Sequence, residues 1–450
     1  MQVRTGSARG LRCFSIFSLH AALLLLLNLP SFSFALPQVT GQAAPSGSGK
    51  LVALQITGSK RYSSDQIASV SGLHTGDAVR KEDFQGAANR LGALGVFSSV
   101  RYRFSSKGED VTAEFQVEDA PAVPISFDNF PWFSDAELAQ AVKDSVILFD
   151  GSAPEQGAIL DSIAQALEKV LPTRGVHGTV AHDLLTHPDN EEKFQQFRVE
   201  GANLKVGAVE FSDPLAASDN RVQDRLPDIV GKPYSRYAIE LFDFEQVRPV
   251  YLDHGRLRVH FGPPTARISG DPTKPMPDEV KVFVPVEPGP AYKWGGVTWS
   301  GNSVLASSYL DGLIGMKAGD PIDGTKLIAA WDNVSAAYGH RGYLDAKITP
   351  EASFNDAAAQ VSYRVSIVEG PQYVMGELIL TGLSLEGERR LRAGWRIGKG
   401  EIFDRTYFDE FLAKGAKQSF GDLPVHFDQI GHWLRTDPKT GTVDVLLDFH

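Results

Sequence analysis

The residues of the 450-residue chain that could do chemistry fall into a few short clusters, and each misses a spacing that its chemistry requires. Gly49-Lys50 has the last glycine and the lysine of a phosphate-cradling loop. Leu51, however, stands where a Ser or Thr would hold Mg²⁺, and Ala44 stands where the first glycine belongs. Asp437-Pro-Lys-Thr-Gly441-Thr442 has the start of a phosphorylated-aspartate motif. Pro438 breaks its spacing, and its place between two apolar runs makes it a hairpin turn. His177, His182 and His187 are spaced by five. An odd spacing on a strand alternates faces, so the three imidazoles do not converge on a metal. No HExxH or GxSxG pattern occurs, and Asn333-Val-Ser335 fits a glycosylation sequon but sits mid-helix. The expectation is therefore a protein without catalytic, cofactor-binding or metal residues, one that works by contact.

Composition agrees with a folded, exported chain. Hydrophobic residues make up 42% and charged residues 22%, which is globular, and the length calls for several domains. The net charge of −11 argues against a nucleic-acid partner. Arg4, Arg9 and Arg12, the apolar run Phe14 to Leu29 and the small-x-small site Ser33-Phe34-Ala35 mark residues 1–35 as a signal peptide. The only cysteine, Cys13, lies before that apolar core, so a cut after Ala35 leaves a chain with no thiol. Residues 36–50, rich in Ala, Gly, Ser and Pro, read as a flexible linker. No later run is long and apolar enough to span a bilayer as a helix.

The rest of the chain repeats one unit. Leu327, Trp331, Val334 and Tyr338 form a helical stripe, Gly339 and Gly342 end it, and Tyr343 to Ile348 has a strand pattern. The same order recurs from starts at Leu51, Ala122, Lys205, Tyr292 and Tyr373, at spacings of roughly 70 to 90 residues. Each unit reads β-α-α-β-β. Ser63, Ser134, Ser235 and Asp404 are placed to cap helices, and Pro249 is expected to kink the one it sits in. In the first four units a large apolar residue lies four before a corner glycine: Leu91/Gly95, Leu171/Gly175, Tyr251/Gly255 and Tyr338/Gly342. The fifth has Lys417 before Gly421, so its corner should be built differently. Five prolines between Gly262 and Glu279 mark an enlarged loop, and Val425 to Ile430 with Val443 to Phe449 read as the last hairpin.

Gly301-Asn302, Lys317-Ala-Gly-Asp320, Tyr338, Gly342-Tyr343 and Val368-Glu-Gly-Pro371, together with Leu91-Gly-Ala-Leu-Gly-Val-Phe97, resemble the polypeptide-transport-associated (POTRA) domain. Five such units behind a signal peptide are similar to the periplasmic half of the outer-membrane protein assembly factor of the BamA type. In that family a β-barrel follows the last POTRA domain; here the sequence ends at Asp448-Phe449-His450, so barrel activity is not carried over. The fold class implied is α+β, a tandem array in which two helices cover each three-stranded sheet. The domains are expected at 51–120, 121–202, 203–290, 291–371 and 372–450, with the second and third divergent.

Such sheets leave edges whose unpaired N–H and C=O groups can take an added strand. The resemblance places the strand after the corner glycine at an edge. The candidate peptide-binding residues are therefore Tyr343, Leu344, Asp345, Ala346, Lys347 and Ile348 in the fourth unit, with Val96, Ser98, Val100 and Tyr102 in the first. Gly95, Gly175, Gly255 and Gly342 are the structural corners. The partners implied are unfolded outer-membrane proteins, assembly-complex subunits or a separately encoded barrel, in the periplasm at the outer membrane. A structural adaptor of envelope or division complexes is the alternative.

Overall fold

The computed structural model describes residues 48–266, 268, 278–421, 423 and 429–450. The signal peptide, nearly all of the linker, Cys13, most of the Pro-rich loop and Val425 lie outside the described residues. The described residues through Ala120 form one compact body and those from Pro121 to His450 another.

The first body holds one repeat. Strand Gly49–Thr57, helices Ser64–Ser71 and Lys81–Ala93, and strands Phe97–Lys107 and Asp110–Asp119 follow in the order β-α-α-β-β. The first strand begins at Gly49, because Lys50 pairs with Asp110 and Ala78, so the last two residues assigned to the linker belong to the sheet. The first strand runs parallel to the closing strand, and the strand after the corner glycine lies outside it, antiparallel. A parallel pair needs a crossover, and the two helices supply it. Their apolar stripe is buried against the sheet through Phe84, Ala87, Ala88 and Leu91; the Phe84 and Phe104 rings stack 5.0 Å apart. Ser63 closes the capping box: its hydroxyl accepts from Gln66 N at 3.2 Å and its own N–H donates to Gln66 Oε1 at 2.9 Å.

The second body repeats that plan. In the second repeat the main strands are Val123–Phe127, Thr179–Thr186 and Lys193–Glu200. In the fourth they are Lys293–Ser300, Lys347–Asn355 and Gln360–Val368, and in the fifth Val374–Thr381, Ile430–Asp437 and Thr442–Phe449. The closing strand is central in each and the post-corner strand is at the edge. Among the described residues the last hairpin runs from Ile430 to Phe449 around a turn at Pro438 to Gly441, so its first strand continues past Ile430, where the sequence pattern ended it. A short link between the two helices pairs back onto the first strand in every repeat: Ala78–Val79, Ser152–Ala153, and single bridges at Pro233, Pro321 and Ile402.

The third repeat departs most. Between Gly255 and Glu279 the extended segments among the described residues are His260–Phe261 and Thr265–Ala266, and they pair with different strands. The expected strand over Leu257 to Phe261 is thus reduced to two residues. Its second helix contains Pro249, whose ring removes an N–H from the ladder. The helix has a π turn at Asp243–Val247 and resumes at Arg248–Asp253; the fifth repeat has a π turn at Phe411–Gly415 without a proline, so the turn does not depend on Pro249.

Candidate functional site

Two features of the repeats can contact another polypeptide or transmit its binding: the free sheet edges and the joints between repeats.

The first repeat offers the longest free edge, Phe97–Lys107, with no proline along it. Gly108 (φ +65°) and Glu109 form a two-residue turn between the paired residues Lys107 and Asp110. Such a turn is closed by a hydrogen-bonded pair, and pairs alternate along an antiparallel ladder. The register is unbroken back to Ser99. The backbone groups of Val100, Tyr102, Phe104 and Ser106 therefore face the open side. Val96 is buried and lies one residue before the strand, and Ser98 sits at the bulge, its hydroxyl donating to Glu118 O at 3.2 Å. Tyr102 is buried and donates to Gln85 Oε1 at 3.1 Å; burial, and then the Glu82 carboxylate, raise its pKa.

The fourth repeat differs from the sequence expectation. Its edge strand starts at Lys347, so of the six candidates only Lys347 and Ile348 lie in it. Tyr343 to Ala346 form a turn: Tyr343 N–H reaches back to Tyr338 O at 3.1 Å and Ala346 N–H to Tyr343 O at 3.3 Å. That is the end of a Schellman-type cap, which the left-handed Gly342 (φ +79°) makes possible. The strand also contains Pro350, paired with Val365. Proline is tolerated where its missing N–H would face away from the partner strand, so the open side of this edge lacks one donor.

The residues displaced from that edge build a joint. Leu344 packs on the core of the fifth repeat, and Asp345 Oδ2 accepts from the Tyr373 hydroxyl at 2.5 Å. Tyr373 N–H donates to Gly342 O at 2.8 Å. A Cβ on Gly342 would lie 2.6 Å from Tyr373 O, closer than any side chain is accommodated. The joint between the third and fourth repeats repeats this geometry. Leu257 packs on the fourth repeat's core, Tyr292 N–H donates to Gly255 O at 2.9 Å, and a Cβ on Gly255 would lie 3.0 Å from Tyr292 O. Helix ends meet at both joints: Thr325 Oγ1 donates to Asp253 Oδ1 at 2.5 Å, and His340 Nδ1 lies 2.9 Å from Asp404 Oδ2. The corner glycines thus carry the next repeat as well as ending a helix. The signal was present as Gly-x-Leu, in Gly255-Arg-Leu257 and Gly342-Tyr-Leu344, and is absent at Gly175 (φ +71°), which has nothing within 4 Å of a Cβ. Gly95 is also left-handed (φ +80°), whereas Gly421 takes a different conformation (φ 55°, ψ −121°).

The second and third repeats join through buried charge instead. Asp128 accepts from Ser235 Oγ at 3.0 Å and Tyr237 N at 2.9 Å, capping the third repeat's second helix from outside. Arg236 is buried and donates to both oxygens of Asp135 at 2.8 and 2.9 Å. Beside them, burial and then the Asp128 charge push Glu240 up to about 7. Burial holds Asp243 well above the usual carboxylate range, and neither of its oxygens has a hydrogen-bond partner among the described residues. Nothing in the spacing of these acids announced the cluster. The three histidines stay apart: His182 faces Asp161 at 3.4 Å, and His187 stacks on Phe194 with centroids 4.3 Å apart. Among the described residues no group of three His, Cys, Asp or Glu is arranged to hold a metal.

The POTRA family model, described as a surface antigen variable number repeat, matches residues 51–120 and 292–370. A putative outer membrane protein assembly factor of Treponema pallidum (strain Nichols) is 22% identical over 124 residues. That match takes in 28% of this chain and 15% of the relative, a small part of its length. Among solved structures, POTRA3-5 of Haemophilus influenzae BamA is 16% identical, covering 55% of this chain and 96% of that one, with a TM-score of 0.41. POTRA1-3 of the periplasmic domain of Omp85 from Anabaena is 14% identical, covering 55% of this chain and 94% of that one, with a TM-score of 0.23.

Proposed function

We propose, for a chain that carries POTRA domains at residues 51–120 and 292–370, that the whole is a periplasmic array of five such domains, at 51–120, 121–202, 203–290, 291–371 and 372–450, exported behind a signal peptide at 1–35. It captures extended polypeptides during outer-membrane protein assembly or transport, by binding and not by catalysis. Its partners are unfolded outer-membrane proteins or subunits of an assembly complex, including a separate barrel. The observation that carries this reading is the unpaired, proline-free edge Phe97–Lys107 inside a segment that matches the POTRA family. Backbone groups supply the binding free energy there, so capture is tolerant of client sequence. Tyr343, Leu344 and Asp345 have no part in capture; Lys347 and Ile348 belong to an edge weakened by Pro350.

A photoreactive residue placed at Ser98 or Ser106, at the two ends of the first-repeat edge, tests this in the full chain with an unfolded barrel protein as client. Crosslinks from both positions, and none from Asn89 on the exposed side of helix Lys81–Ala93, are expected. Crosslinks from Asn89 alone, or none from the edge, overturn the reading.

A further inference from the structure

The sheets of the first, second, fourth and fifth repeats share a register, so the same row can be followed across the face opposite the helices in each of these four. In the first repeat it reads Gln55, Glu114, Arg103, with Arg103 and Glu114 ion-paired at 2.6 Å. The second has Ser126, Gln196, Asp183, and the fourth Thr298, Arg364, Glu351. The fifth has Ile379, Leu446, Trp433. Their neighbours Leu378, Leu380, Leu434, Val445 and Leu447 belong to the fifth core. Alternation along a strand therefore sends the row to the open face. Trp433 is 54% exposed. It lies on Ile430–Asp437, the edge strand, so the apolar row ends at a backbone edge that is unpaired among the described residues. Its indole is also held in place. A Cβ on Gly431 would lie 2.9 Å from the Trp433 ring, so the ring rests over the glycine, along the strand.

We infer that the fifth repeat is a selective edge whose ligand is an extended polypeptide segment with bulky apolar side chains at alternate positions, Trp433 being the residue that reads them. A strand added beside Ile430–Asp437 places one residue directly opposite Trp433, and its side chain continues the row Ile379, Leu446, Trp433. A polar residue there would sit against an apolar strip, whereas an aromatic or branched one packs on the indole. The paired charges Arg435–Asp444 and Lys399–Glu377 line one side of the row, and Asp448, which accepts from the Thr381 hydroxyl, lies on the other. This inference rests on edge pairing as proposed above and adds side-chain selection to it.

Two ten-residue peptides of one composition, with apolar residues alternating in one and blocked in the other, test it on the full chain and its variants. The alternating peptide should bind roughly 2- to 10-fold more tightly. Trp433→Ala should abolish that ratio while leaving the weaker binding in place, Trp433→Phe should retain part of it, and Gly431→Ala, which dislodges the indole, should reduce it. An unchanged ratio in Trp433→Ala overturns the inference and leaves edge pairing standing. Absence of binding by either peptide, with no amide protected at any edge, overturns both. A Trp433-dependent dimer in sedimentation, with no peptide bound, assigns the strip to a second copy and also overturns it.

Discussion

Replacing Gly342 by alanine separates the cost of a left-handed residue from the cost of disturbing a joint. Gly175 and Gly342 have nearly the same backbone, φ +71° and +79°. An alanine at Gly175 meets nothing within 4 Å, so it carries only the conformational cost of a left-handed L-residue, about 1 kcal/mol. An alanine at Gly342 carries that cost and also meets Tyr373 O at 2.6 Å, Ile402 Cγ2 at 3.1 Å and Phe403 O at 3.3 Å. Two of these are backbone oxygens, so no rotamer relieves them and the fifth repeat has to move. Moving it lengthens the Tyr373-to-Gly342 hydrogen bond, worth about 1 kcal/mol, and loosens Leu344 in the fifth core. The expected total is ~2–3 kcal/mol. Urea unfolding followed by amide exchange in each repeat gives the stabilities. Spin labels on the exposed residues Lys317 and Lys399 give the distance distribution across the joint. Gly342→Ala should cost at least 1 kcal/mol more than Gly175→Ala and broaden that distribution, which Gly175→Ala should leave unchanged. Equal costs and equal distributions would refute the assignment of the corner glycine to the joint.

Other perturbations have definite outcomes. Pro350→Thr restores a donor on the open side of the fourth edge; exchange at Ile348, Ala352 and Phe354 should then slow when peptide is added, and in the parent it should not. Glu240, pushed up to about 7, binds a proton in the fold that it has already lost in the unfolded chain between about pH 4.5 and 7. Its contribution is therefore full at the acid end and lost as pH rises through that window. Glu240→Gln should flatten the stability profile there and stabilise the second body by ~2–3 kcal/mol at pH 8. Tyr338→Phe removes the 3.0 Å bond to Glu369 and should cost about 1 kcal/mol in the fourth repeat by urea unfolding. Burial alone would raise the Glu369 pKa, but the bonds from Ser303, Val304 N–H and Tyr338 outweigh it and lower it. Its stabilisation is present above the ordinary carboxylate range and disappears as pH falls through the lowered value.

The helical stripes and caps were legible because they depend on local spacing. Ser63, Ser134, Ser235 and Asp404 cap helices as their positions imply, and Leu91, Leu171, Tyr251 and Tyr338, each four before its corner, are all buried. The strand after Gly342 was placed too early because Tyr343 to Ile348 alternates in pattern directly after the corner glycine. Leu344 and Asp345 are claimed by long-range partners, the fifth core and Tyr373, that a local pattern does not contain, while Tyr343 and Ala346 pack on the fourth core. The half-buried Glu240 and the buried Asp243 were missed for a related reason: Asp128, whose charge bears on Glu240, belongs to the second repeat, far away in sequence. The apolar row ending at Trp433 needed the register of three strands, so no single stretch announced it.

Amide exchange on the full chain with an extended peptide tests the central claim of edge capture most directly. The account predicts slower exchange at Val100, Tyr102 and Phe104, whose N–H groups face the open side, and no change at Ser99, Arg101 and Arg103, which already pair with the closing strand. Equal slowing in both sets, or protection confined to helices Ser64–Ser71 and Lys81–Ala93, would contradict it.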